Sequence, residues 1–115
     1  MELPVTQKDP TMPAVDFNRL RAEITMAQVL DLLAFEPVAR SGWQWYGRCP
    51  LHEASAKRQR SFSVNLALGR YYCHRCHSHG NPIELWAAAT KLPLYQAAID
   101  LCHRLGRQVP WIERR

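Results

Sequence analysis

Two short stretches decide the reading of this chain: Gly47-Arg48-Cys49-Pro50-Leu51-His52 and Tyr71-Tyr72-Cys73-His74-Arg75-Cys76. The first holds a Cys-x2-His pair and the second a Cys-x2-Cys pair, with twenty residues between His52 and Cys73. Two residues between ligands allow a tight turn that aims both side chains at one ion, while backbone amides donate to the sulfurs. Two such turns complete a tetrahedron. Three cysteines and one histidine form a closed zinc set with no open position for a catalytic water, so one structural Zn2+ is expected on Cys49, His52, Cys73 and Cys76. His74, His77 and His79 crowd the second pair and compete with His52 as fourth ligand. A disulfide between buried cysteines would leave the symmetry of the two pairs unexplained. Cys102 reads as a small core residue of a late helix.

Between the pairs, Ser61-Phe62-Ser63-Val64-Asn65-Leu66 alternates, with Phe62, Val64 and Leu66 on one face. Ala67-Leu68-Gly69 reads as a turn, and Arg70-Tyr71-Tyr72-Cys73 returns beside it. Upstream, the glycine-bounded aromatic run Gly42–Arg48 reads as one further strand. Helices are expected on both sides of this sheet. Asp16 can cap a helix over 17–23. Thr25 and Gln28 form a capping box for a second, to about Leu33, and Pro37 closes that helical region. Asn81, Pro82 and Glu84 start a third helix to about Thr90. Pro93 opens a fourth, to Leu105, with Leu94, Ala98, Leu101 and Leu105 inward and Gly106 as its stop. The fold class is therefore α+β, a zinc-ribbon-type antiparallel sheet between helices. Residues 1–13 read as a flexible lead-in, 14–106 as the domain and 107–115 as a frayed tail.

The length of 115 residues suits one domain, and 47% hydrophobic with 22% charged residues is an ordinary globular balance. No apolar run reaches a membrane span, no secretory leader is evident, and a cytoplasmic setting is expected. The net charge of +5 is unevenly spread. Residues 40–76 carry +6 and the remainder −1. Three thiolates and Zn2+ sum to −1, so the attraction for a polyanion must come from the lysines and arginines around the metal. Nucleic acid is the first candidate.

The order Gly47-x-Cys49-Pro50-x-His52, Ser61-Phe62-Ser63-Val64, Tyr71-x-Cys73-x-x-Cys76, then Gly80 and a helix resembles the N-terminal zinc-binding domain of bacterial DNA primases. The likeness covers roughly residues 16–106. Three features depart from it. The 52–61 loop is longer, with Arg60 where proline is usual. His74-Arg75 replaces Phe-Gly. No catalytic core or helicase-binding domain follows in this sequence. The resemblance implies a non-catalytic module that recognises single-stranded DNA template, with nucleotide joining supplied in trans and a catalytic primase subunit or a helicase as the protein partner. It fits a bacterial replication system or a mobile element.

Unpaired bases stack on aromatic rings while cations follow the phosphates. Trp43, Trp45, Tyr46, Tyr71 and Tyr72 supply rings on strands; Lys57, Arg58, Arg60, Arg70 and Arg75 supply charge. Alternation puts Phe62, Trp43 and Trp45 in the core and leaves Tyr46 and Tyr72 exposed for DNA. The competing reading is a zinc-ribbon adaptor for a helicase, polymerase or transposase, using Trp86, Tyr95 and Trp111 as exposed contacts. A self-sufficient enzyme is disfavoured, because Asp16, Asp31 and Asp100 suggest no clustered metal-binding carboxylates.

Overall fold

The computed structural model describes residues 13–51 and 61–112. The first helices form where their caps stand. Asp16 accepts from the Arg19 amide at 3.1 Å and starts α1 (Phe17–Glu23). Thr25 and Gln28 cap each other's backbone at the start of α2 (Met26–Leu32). The α2 end is a Schellman turn: Ala34 takes a φ of 56° and the Phe35 amide donates to the Leu30 carbonyl at 2.9 Å. Asn81 and Glu84 form the second capping box, with Pro82 leading α3 (Pro82–Thr90). The last helix is α4 (Leu94–Arg104), after which Gly106 has a φ of 68°.

Five strands form one antiparallel sheet in chain order: β2 (Pro37–Ser41), β3 (Gln44–Gly47), β4 (Phe62–Asn65), β5 (Arg70–Cys73) and β6 (His79–Gly80). The expected single strand over 42–48 is corrected to a hairpin. Gly42 turns the chain at a φ of 62°, so the segment after Pro37 pairs back on β3. Pro37 opens this strand rather than merely closing the helical region, a position an edge strand tolerates. A register irregularity between Pro37 and Ala39 also interrupts the exposed edge.

The same correction moves Trp43 out of the core. It sits in the β2–β3 turn and is 67% exposed. Trp45 packs against the core margin, half-buried, with the Arg40 guanidinium 4.6 Å from its ring centre.

The inner face of the sheet carries Phe62, Val64 and Tyr71, all buried against Leu20, Met26, Val29, Ile83 and Leu85 from the helices. Phe62 stacks between Phe35 and Tyr71, with ring centres at 5.3 and 5.6 Å. Tyr71 is thus a core residue and no base-stacking ring. Its hydroxyl pairs with Ser78 at 2.7 Å, and burial pushes its pKa up, partly offset by that hydrogen bond.

On α4 the expected stripe is buried at Ala98 and Leu101 and packs partly against the core at Leu105; Ala97 and Cys102 widen it, and Leu94 is the exception. Leu94 lies in the first turn and stays exposed. Trp86, proposed as an exposed contact, is buried; its indole N–H donates to Asp100 at 2.9 Å and ties α3 to α4.

The segment after Gly106, expected to fray, forms a strand at Trp111–Ile112. β1 (Ala14–Val15) pairs antiparallel with β7 (Trp111–Ile112). Tyr95 donates to the Pro13 carbonyl at 2.6 Å, and Arg107 pairs with Glu23 at 2.8 Å.

Hydrogen bonds from Arg19 and Arg107 hold the Glu23 pKa below its ordinary 4.5. A depressed carboxylate contributes stability above its unfolded pKa and loses it as pH falls through its folded value. We expect the Trp111 indole resonance to shift as the wild type is acidified below about pH 4.5. In Glu23→Gln it should be displaced at neutral pH and flat over that range. Identical NMR titrations would remove Glu23 from the terminal clasp.

Candidate metal centre

The two stretches that opened the sequence meet at one end of the sheet. Cys49 follows β3, Cys73 ends β5 and Cys76 lies in the turn beyond. The register Gly47–Phe62–Cys73 sets both strand ends side by side. The three sulfurs lie within 4.8 Å of one another, and none of the three cysteines forms a disulfide. Cys49 and Cys73 are buried; Cys76 is exposed.

Backbone amides point at the sulfurs. Leu51 donates to Cys49 at 3.4 Å, and Arg75 and Cys76 donate to Cys73 at 3.3 and 3.4 Å. Thiolates on a tetrahedral zinc lie about 3.8 Å apart, so the donor set fits that ion after a small contraction. Burial, opposed by the hydrogen bond from the Leu51 amide and aided by the neighbouring Cys73 and Cys76 thiols, pushes the Cys49 thiol up to about 12. Without a cation the Cys49 thiol therefore stays protonated at neutral pH. A bound cation would supply the charge that lets three sulfurs ionise together.

His52, named as the fourth ligand, lies outside the described residues, as do Lys57, Arg58 and Arg60. Among the described residues the thiol cluster includes no histidine. The three histidines that competed with His52 collect elsewhere, around Tyr72, at ring-centre distances of 4.7 Å for His74, 6.3 Å for His77 and 6.0 Å for His79. Tyr72 and His77 also share a 3.1 Å hydrogen bond. The turn that carries them is itself held by the cysteine strand: His77 donates to the Cys73 carbonyl at 2.8 Å and Cys73 to the Ser78 carbonyl at 2.9 Å.

A family model for the CHC2 zinc finger matches residues 12–115. The chain belongs to the CHC2 zinc-finger family. This CHC2 domain is 34% identical over 89 residues to a DNA primase of Helicobacter pylori, covering 77% of the chain and 15% of that protein. It is 36% identical over 85 residues to a DNA primase of Treponema pallidum, covering 70% of the chain and 14% of that protein. The chain thus spans about 15% of the length of these relatives. The crystal structure of the Aquifex aeolicus primase zinc-binding and RNA polymerase domains shares the fold, at a TM-score of 0.65 and 23% identity over 84% of this chain and 23% of that one. The expected α+β class and the resemblance to the primase zinc-binding domain both hold.

The outer face of the CHC2 sheet, opposite the core, carries Gln44, Tyr46, Ser63, Asn65, Arg70, Tyr72 and His79 by register. Gln44, Ser63, Asn65, Arg70, Tyr72 and His79 line an open cavity of about 410 Å³. Gln44 and Asn65 are fixed by a 3.1 Å amide hydrogen bond. Arg70 is exposed and has no carboxylate partner among the described residues. Of the expected nucleic-acid residues, the structure brings Arg70 and Tyr72 together on this face. Tyr46 is on the same face but half-buried, and Arg75 is exposed in the cysteine turn.

Sequence reasoning did not assign the histidine ring cluster. Its signal is present in His74, His77 and His79, but alternation alone does not report a turn that folds back over Tyr72. Gly80, where that turn meets α3, has a φ of 148°. A β-carbon there would collide with the Glu84 carboxylate and stand 2.9 Å from the Glu84 β-carbon. We expect Gly80→Ala to cost about 1–3 kcal/mol in chemical denaturation, from backbone strain and a disturbed cap. An unchanged midpoint would contradict the tight approach.

Proposed function

We propose that this domain binds single-stranded DNA across the outer face of its sheet, as the template-recognition module of primer synthesis. One zinc held by Cys49, His52, Cys73 and Cys76 keeps that face in shape. Nucleotide joining belongs to a catalytic domain or subunit outside these residues, in a cytoplasmic replication or mobile-element system. The observation that carries the reading is the joint placement of Tyr72, His79 and Arg70, which has no carboxylate partner among the described residues, around one open cavity, in a domain homologous to part of DNA primases. The rings offer stacking surface, Gln44 and Asn65 offer amide donors and acceptors, and Arg70 offers charge. Lys57, Arg58 and Arg60, with Arg75, add positive charge for phosphates.

The test is anisotropy of a labelled fifteen-nucleotide single strand at several salt concentrations. Tyr72→Ala should weaken binding by roughly 5- to 150-fold, the loss of one stacked base at about 1–3 kcal/mol. Arg70→Ala should lower the slope of log affinity against log salt by about 0.7 for the lost phosphate contact. Wild-type affinity and slope in both variants would refute this face as the DNA site.

A further inference from the structure

The end of the sheet remote from the cysteines presents a second surface with different chemistry. Trp43 and Leu68, 67% and 73% exposed, are the two most exposed large apolar side chains among the described residues. They stand on neighbouring turns. The Leu66 amide donates to the Trp43 carbonyl at 2.9 Å, and the Asn65 side chain accepts from the Leu68 amide at 2.8 Å, so hydrogen bonds hold both turns. Two large apolar groups so fixed in solvent mark a contact surface rather than an incidental exposure.

Beside Leu68 a groove of about 450 Å³ runs between the α1–α2 junction and the β4–β5 turn. Ile24, Met26, Leu66 and Leu68 contribute its apolar lining, Arg21 and Arg70 its charge, and no carboxylate lines it. Neither Arg21 nor Arg70 has a carboxylate partner among the described residues, and Arg40 adds a third such cation on the adjoining hairpin. Leu68 and the groove, which no aromatic side chain lines, offer no π face to a base, while Tyr72 lies on the outer sheet face.

We propose that this end of the sheet docks a protein partner through an acidic segment bearing large apolar side chains. The apolar groups of the segment cover Trp43 and Leu68 and enter the groove, and its carboxylates meet Arg21, Arg40 and Arg70. The charge complementarity identifies the partner's chemistry: a basic or neutral segment would leave three guanidinium groups opposed or unpaired at the interface. This surface is separate from the proposed DNA face except at Arg70, which borders both.

The test uses the full zinc-loaded chain as bait for a random twelve-residue peptide library displayed on phage, with the Trp43→Ser/Leu68→Ser double variant as counter-target. Both substituted side chains are exposed, and near-ultraviolet circular dichroism verifies that the variant is folded. Enriched peptides should combine Asp or Glu with aromatic or aliphatic residues. As synthetic labelled peptides they should bind the wild type at least tenfold tighter than the double variant, and Arg21→Glu should weaken them by a comparable factor. The same variants should keep wild-type affinity for the fifteen-nucleotide single strand. Failure to enrich peptides that depend on Trp43 and Leu68, or enrichment of basic ones, would overturn the proposal. A tenfold loss of single-strand affinity in the double variant would also overturn it, by making this end part of the nucleic-acid surface. Failure of the DNA-face substitutions alone would leave this docking surface standing.

Discussion

Cys73→Ser will abolish the cooperative unfolding transition of the central sheet. Cys73 is fully buried, ends β5 and accepts two backbone amides through its sulfur. It also sits beside Phe62 in the register, so the metal centre and the hydrophobic core share this strand end. A structural zinc contributes roughly 10–16 kcal/mol in apparent terms in small peptides, as large as the ~5–15 kcal/mol net stability of a whole domain. Serine removes one of three gathered sulfurs, and the remaining ligands hold the ion far more weakly. Chelation of the wild type should have the same effect, and zinc should restore the wild type but not the variant. Circular dichroism melting curves read this directly. Equal transitions before and after chelation would show that the sheet stands without the metal.

Phe62→Ala should follow as the second largest effect, at about 3–5 kcal/mol. Its ring is fully buried between Phe35 and Tyr71, and it bridges the helix-end turn to the strand that carries Cys73. Removing the ring leaves a cavity that Phe35 cannot readily fill. Phe35 already lies so close to Gly47 that a β-carbon there would stand 2.8 Å from its ring. Urea denaturation of the zinc-loaded protein measures the loss. A change below 1 kcal/mol would mean that the inner face of the sheet is not packed as described.

Local chemistry made much of this fold legible. Asp16, the Thr25–Gln28 box and the Asn81–Glu84 box each satisfy helix-start amides with side chains three residues away, and the three helices begin there. The cysteine spacing likewise announces a shared site, since each half is a short turn. What was not legible depends on partners distant in sequence. Val38–Ser41 has no pattern of its own and becomes a strand only because Gly42 folds it onto β3. Trp43 looks like a core aromatic until that turn places it in solvent. Trp111 and Ile112 order by pairing with Ala14 and Val15 at the other end of the chain. The α4 stripe went wrong at Leu94, because a helix's first turn can overhang the element on which the rest packs. Trp86 carries a polar N–H that could have faced water, but Asp100 on the next helix satisfies it.

The central claim is that a metal-stabilised sheet offers its outer face to unpaired nucleic acid. Its most direct test is an anisotropy titration of the zinc-loaded chain with single-stranded and duplex DNA of matched sequence, at low and physiological salt. The account predicts preference for the single strand, with affinity that falls as salt rises. Equal and negligible binding to both forms at low salt would contradict it.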